Sequence, residues 1–193
     1  QPATIRRTRA KIPRRDYEAF FVFGDAQAGL RRFGGEVILL HDITAINASL
    51  KLADDIRPNY VVDLGDPVDL TMLGKHQPKD NHFAGTLQDS LQIDHNIHAE
   101  FTAATPQAER VIVDSNHSKR LGDYALRHAP ELFDVKVIGS EYRALSYPHL
   151  LQLDQIGWRH IGGYGAAEYN PYDDLSFAHG TEAVSKGSTA YKV

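Results

Sequence analysis

Six side chains with metal-ligand chemistry punctuate the ends of four apolar runs: Asp25 and Gln27 in FGDAQ, Asp66 in LGDPVD, Asn116 and His117 in DSNH, and His179 in FAHG. Carboxylate and amide oxygens together with imidazole nitrogens suit Mn²⁺, Fe, Zn²⁺ or Mg²⁺. A single carboxylate at a strand end is ordinary turn chemistry, because Asp accepts hydrogen bonds from nearby backbone. A series has another consequence. If the runs are strands paired side by side, their ends converge on one rim. One carboxylate there can bridge two ions about 3.5–4 Å apart, the arrangement that activates water for in-line attack on phosphorus.

The elements that must position these residues follow from hydrophobic period. AFFVFGD reads as a buried strand ending at Asp25, followed by a polar, Gly-rich loop through Gly35. Residues 42–55, DITAINASLKLADD, fit a helix, with Ile43, Ile46, Leu50 and Ala53 at helical spacing, and Pro58 breaks the pattern. NYVVDLGD is a second apolar run, ending at Asp66, and 70–81 is irregular. Residues 84–104 predict a long helix with Leu87, Leu91, His95 and His98 along one side. ERVIVDSNH is a third run, SKRLGDYALRHAPEL a short helix stopped by Pro130, HLLQLDQIGWRHIGGY an antiparallel pair around Gly157, and DLSFAHG a last short run ending in His179. Strands alternating with helices early and hairpins later predict a layered α/β or α+β protein. Ligand groups in such sheets sit just beyond the strand ends.

A length of 193 residues suggests one domain, and 42% hydrophobic content suffices for a packed core. No apolar run approaches the ~20 residues that span a bilayer, and no secretory signal is visible. There is no cysteine, which removes disulfides and thiolate metal sites and suits a cytoplasmic setting. The net charge of −4 hides an asymmetry: RRTRAKIPRR, residues 6–15, carries six positive charges and no negative one, while the rest carries about −10. The expected organisation is a basic arm over 1–16 and a catalytic-type domain over 17–193. Such an arm is either a solvated tail or a contact for DNA or RNA.

In this order, GDAQ, GDPVD, SNH and HG resemble the motifs of the calcineurin-like metallophosphoesterases: Asp-x-His, Gly-Asp-x-x-Asp, Gly-Asn-His-Asp/Glu, a His, then Gly-His-x-His. SNHSKRLGDYALRHAPEL is similar to the equivalent stretch of phage and bacterial members. The resemblance runs from about Phe20 to Gly180. It implies a four-layer α/β/β/α sandwich and a hydrolase using two divalent ions, Mn²⁺ foremost, with attack by metal-bound hydroxide on a phosphodiester, nucleic acid among the candidates. It implies that Asp25 and Gln27 hold the first metal, Asp66 bridges, and Asn116 and His179 hold the second. His117 would stand beside the phosphate as general acid or charge stabiliser, Asp69 would orient it, and Lys119 or Arg120 would contact the phosphate. Two departures stand out. Gln27 replaces the more usual His, which favours Mn²⁺ or Mg²⁺ over Zn²⁺. No Gly-His-x-His follows His179, so the chain is expected to be C-terminally incomplete, and as written it would bind metal weakly or at one site.

Asp25, Asp66 and Asp69 also fit simple turn chemistry, and His179 an ordinary strand end. His82, His95 and His98 suggest a second metal site, but no acidic cluster is evident beside them, so a solvated or partner-packed helix face is the expectation. The rival to catalysis is a degenerate phosphoesterase scaffold that binds nucleic acid or a partner through the basic arm.

Overall fold

The structure is a computed structural model that describes residues 16–74, 77–78 and 81–180. The basic arm therefore lies outside the described residues, apart from Asp16. Four strands, β1 (Phe20–Phe23), β4 (Tyr60–Asp63), β5 (Glu109–Val113) and β6 (Arg159–Ile161), form one parallel sheet in the order β1-β4-β5-β6. The register pairs Phe23 with Asp63 and Asp63 with Ile112, so the C-terminal ends lie along one rim. Three of the four punctuated apolar runs thus end on one rim, as expected; the fourth, ending at His179, lies in a separate antiparallel hairpin.

Side-chain alternation gives the sheet two buried faces. One carries Phe21, Val61 and Ile112 and packs on α1 (Ile43–Ile56) and α2 (Leu87–Ala104) through Ile46, Ala53, Leu91, Ile97 and Phe101. The other carries Val62, Val111 and Val113 and packs on Ala167 and Tyr169. Those two residues lie at the start of the antiparallel hairpin β7 (Glu168–Tyr172) and β8 (Leu175–Ala178) or just before it. Aromatic rings cement both faces: Phe23 stacks on Phe101 and Phe20 on Tyr60, each with centroids 4.5 Å apart. The fold is thus mixed α/β, with helices, a parallel sheet and two two-stranded antiparallel sheets among the described residues. The expected outer helical layer is not among the described residues.

The helix over 42–55 forms almost as expected, because Asp42 accepts hydrogen bonds from the Thr44 and Ala45 amides and so caps the first turn. Its end comes at Arg57, in left-handed backbone before Pro58. The short helix α3 (Arg120–His128) ends before Pro130, and α4 (Tyr147–Leu150) is a single turn.

Two sequence expectations need correction. The polar stretch to Gly35 is not simply a loop: β2 (Leu30–Phe33) and β3 (Glu36–Leu39) form a hairpin across Gly34 and Gly35, whose φ of +58° and +87° suits a two-residue turn. Nor is there an antiparallel pair around Gly157. Buried Leu151 and Leu153 mimic strand alternation, but tight turns deliver them to the core, with the Leu153 and Trp158 amides bonded to Pro148 and Leu153 carbonyls. β6 then pairs parallel with β5. Among the described residues no helix is long and apolar enough to cross a membrane.

Candidate active site

The rim is assembled by backbone before any side chain acts. The loop after β1 runs beside the loop after β4. The amides of Asp25, Gln27 and Ala28 donate to the carbonyls of Gly65, Asp66 and Pro67 at 2.9, 3.0 and 2.7 Å, and the Asp69 amide returns a bond to Ala28 at 2.9 Å. Asp25, Gln27 and Asp66 all adopt left-handed backbone, with φ of 55°, 44° and 51°. Such conformations cost non-glycine residues of order 1 kcal/mol or more and persist where surrounding contacts over-determine them. Their clustering at the first two motifs marks this rim as specialised.

Gly65 lets the loops close up. A Cβ there would lie 2.7 Å from the Ser115 Cβ and 3.0 Å from both the His179 Nδ1 and the Val113 carbonyl oxygen. That close approach brings the third and fourth motifs onto the second. The His117 amide donates to Asp66 Oδ1 at 3.3 Å. His179 Nδ1 donates to the Leu64 carbonyl at 2.8 Å. With the proton on Nδ1, the Nε2 lone pair faces Asn116 Oδ1 at 3.0 Å and Asp66 Oδ1 at 3.7 Å. Three electron-rich atoms converge on one point. A cation there, or a proton on Nε2, relieves the repulsion. A ring nitrogen tied to a carbonyl while its partner nitrogen is presented outward is also how metal-binding imidazoles are oriented. The donor set of one carboxylate, one amide oxygen and one imidazole therefore fits a divalent ion. Among the described residues no three His, Asp or Glu side chains gather as a metal-holding group, and the third member here is an amide.

Asp25 is exposed and Gln27 half-buried, and both stand on the adjoining loop, joined to Asp66 through backbone. Asp66, Asn116, His117 and His179 are brought together directly. Asp69 differs from expectation as the orienter of His117. The two side chains are 3.7 Å apart, and Asp69 instead accepts from Arg120 Nη1 at 3.0 Å and from Thr71 at 2.8 Å. Arg120 Nη2 donates to His117 Nε2 at 2.7 Å. The orientation of His117 thus comes from Asp69 through Arg120. Burial pushes the His117 pKa below its ordinary 6.5, opposed by the Asp66 charge and assisted by the Arg120 guanidinium. A ring accepting at Nε2 carries its proton on Nδ1, which is buried and turned towards the Val68 backbone and Asp69. Lys119 turns away, 3.4 Å from Asp123 and over the Tyr164 ring.

A cleft of about 840 Å³ opens on this cluster, walled by Asn116, His117 and Arg120 on one side and by Thr71, Leu126 and Arg127 on the others. Its volume lies within the range of small-molecule sites.

Beneath the rim lies a buried network that sequence reasoning did not find. His98, wholly buried on α2, donates through Nε2 to Asp63 Oδ2 at 3.1 Å and through Nδ1 to the Asp94 carbonyl at 3.0 Å. Both ring nitrogens donate, so the ring is an imidazolium, and its pKa is raised to about 10: the Asp94 and Asp63 carboxylates overcome the opposing effect of burial. Tyr147 donates to Asp94 Oδ2 at 2.9 Å, and Asp63 Oδ1 accepts from the Gly65 amide at 2.8 Å. The network thus reaches the turn that carries Asp66. The available signal was a carboxylate, Asp63, inside the apolar run YVVDLGD. His95 is half-buried with Nδ1 2.7 Å from the Leu151 carbonyl, so the helix face bearing both histidines is packed.

No protein-family model matches the chain, and searches of curated proteins and of solved structures likewise give no match.

Proposed function

We propose that this chain is a metal-dependent phosphoesterase acting on a phosphodiester, built as a calcineurin-like α/β/β/α sandwich. The observation that carries the reading is His179 Nε2 facing the Asn116 and Asp66 oxygens beside a cleft that holds His117 and Arg120. Asp66, Asn116 and His179 would hold one divalent ion, with Asp25 and Gln27 the candidates for a second bridged by Asp66. Mn²⁺ suits this oxygen-rich set best, with Mg²⁺, Fe and Zn²⁺ the alternatives. Divalent ions would supply positive charge to the phosphoryl oxygens and lower the pKa of the attacking water.

The chain's own residues do the rest. Arg120 offers a planar guanidinium, the geometry that binds two phosphate oxygens at once, while Asp69 fixes its other edge. His117, with Nδ1 buried, acts through Nε2: it holds the Arg120 guanidinium at the cleft, where that cation meets charge developing on the ester oxygen. The left-handed turns at Asp25, Gln27 and Asp66 hold the rim in one conformation, so little reorganisation is needed as substrate arrives.

The test is Mn²⁺-dependent hydrolysis of bis(p-nitrophenyl) phosphate. Asp66→Asn and His117→Ala should each lower kcat/KM by about a hundredfold or more while circular dichroism stays unchanged. Undiminished turnover in both variants would refute the mechanism.

A further inference from the structure

Behind the cleft wall lies a second, smaller pocket of about 200 Å³. It shares Asp69, Thr71 and Leu73 with the cleft, and the 3-10 turn Thr71–Leu73 forms the partition. Its walls are of a different character. Leu70, Met72, Phe83 and Leu87 supply apolar surface, and the polar residues sit at the α2 end, at Thr86 and Ser90. The Thr86 hydroxyl is committed to the Phe83 carbonyl at 2.7 Å, so this N-cap residue does not itself cap the first turn of α2. The first-turn amides of a helix have no partner within the helix and are where an acceptor on a ligand would bind.

We propose that this pocket receives a flat aromatic ring borne by the phosphoester, of nucleobase size, so that the substrate class is a nucleotide-type phosphodiester. The proposal rests on the phosphoesterase reading above. A cavity of about 150 Å³ lined by aliphatic and aromatic side chains accommodates benzene, so about 200 Å³ takes a larger ring. Phe83 offers a face for stacking, a contact indifferent to base identity. The first-turn amides at the α2 N-terminus can bond ring oxygens or nitrogens. The junction is chemically continuous: Asp69 borders both spaces and holds Arg120, which touches His117. A ligand with an anionic end at Arg120 and an apolar ring past Asp69 matches this sequence of surfaces. A phosphate or sugar phosphate alone leaves the apolar part unfilled.

Met72 makes the test direct, because it is the one methionine of the sequence and lies in the pocket wall. Protein carrying ¹³C-methyl methionine is titrated, with Mn²⁺ present, against adenosine 5′-monophosphate, ribose 5-phosphate and adenosine, with affinity measured in parallel by calorimetry. The nucleotide should bind about tenfold or more tighter than the sugar phosphate, and both nucleotide and adenosine should shift the Met72 methyl resonance. Ser90→Leu, which fills the pocket, should erase the preference and leave sugar phosphate binding intact. Equal affinity of the two phosphates with an unmoved Met72 overturns the ring pocket and leaves the phosphoesterase reading standing. A Met72 shift with adenosine but no binding of either phosphate supports the pocket and overturns that reading. The wild-type comparison does not depend on the variant folding.

Discussion

His98 is a cation sealed between two carboxylates, and its removal gives a prediction with a sign and a size. Replacing it by Leu leaves Asp63 and Asp94 buried without their positive partner. Breaking a buried pair in this way costs about 3–5 kcal/mol, a third or more of the stability of an ordinary domain. For a chain of this length that corresponds to roughly 10 °C in melting temperature. The pH dependence follows from linkage. The folded pKa of His98, about 10, stands above its ordinary 6.5. Its stabilisation is therefore complete below pH 6.5 and lost as pH rises towards 10, at a slope approaching about 1.4 kcal/mol per pH unit. Burial raises the Asp63 carboxyl as well, so its contribution falls from about pH 3.8 upward, and the Asp63→Asn background removes that contribution from the comparison. Urea unfolding of wild type and His98→Leu at pH 6, 8 and 9.5 reads the difference. The gap should be widest at pH 6 and narrow steadily. Adding Asp63→Asn should recover part of the loss, because one stranded charge is gone. A gap under about 1 kcal/mol, or one that does not change with pH, would refute the account of His98 as a buried imidazolium.

Gly65→Ala places a methyl 2.7 Å from Ser115 Cβ at a φ of +102°. It should cost roughly 2–3 kcal/mol in chemical unfolding and loosen the packing of His179 beside Leu64. Unaltered stability would mean that the loop closure does not depend on glycine. Asp42→Ala removes the acceptor for the Thr44 and Ala45 amides and should lower stability by about 1 kcal/mol. Asp42→Asn, measured alongside by thermal melting, should keep most of it.

The candidate site was legible in the sequence as a set of types and an order. Asp25, Asp66, Asn116 and His179 are each readable because an apolar run stops at them; for the first three the run is a parallel-sheet strand, whose end is a place on a rim, whereas His179 follows the antiparallel strand β8. Helix α1 was legible because its cap and its period agree. The hairpin β2–β3 was not, since two short, mostly exposed strands carry no alternating apolar signal for a reader to count. The turns over 151–157 were misread for the converse reason: Leu151 and Leu153 alternate like a strand while being buried by turns.

By itself the sequence determined which groups could act and that four strand ends would carry them, because hydrophobic period and punctuation are local properties of the chain. Only the tertiary structure decided how they meet. It tied the first loop to the second through left-handed turns, and gave Asp69 to Arg120 rather than to His117. It also turned His179 Nε2 onto Asn116 and Asp66, and set His98 between Asp63 and Asp94. Apart from the Asp94–His98 contact within α2, those pairings join residues 35 to 113 positions apart. They arise when separate elements pack, and no period within one segment encodes them.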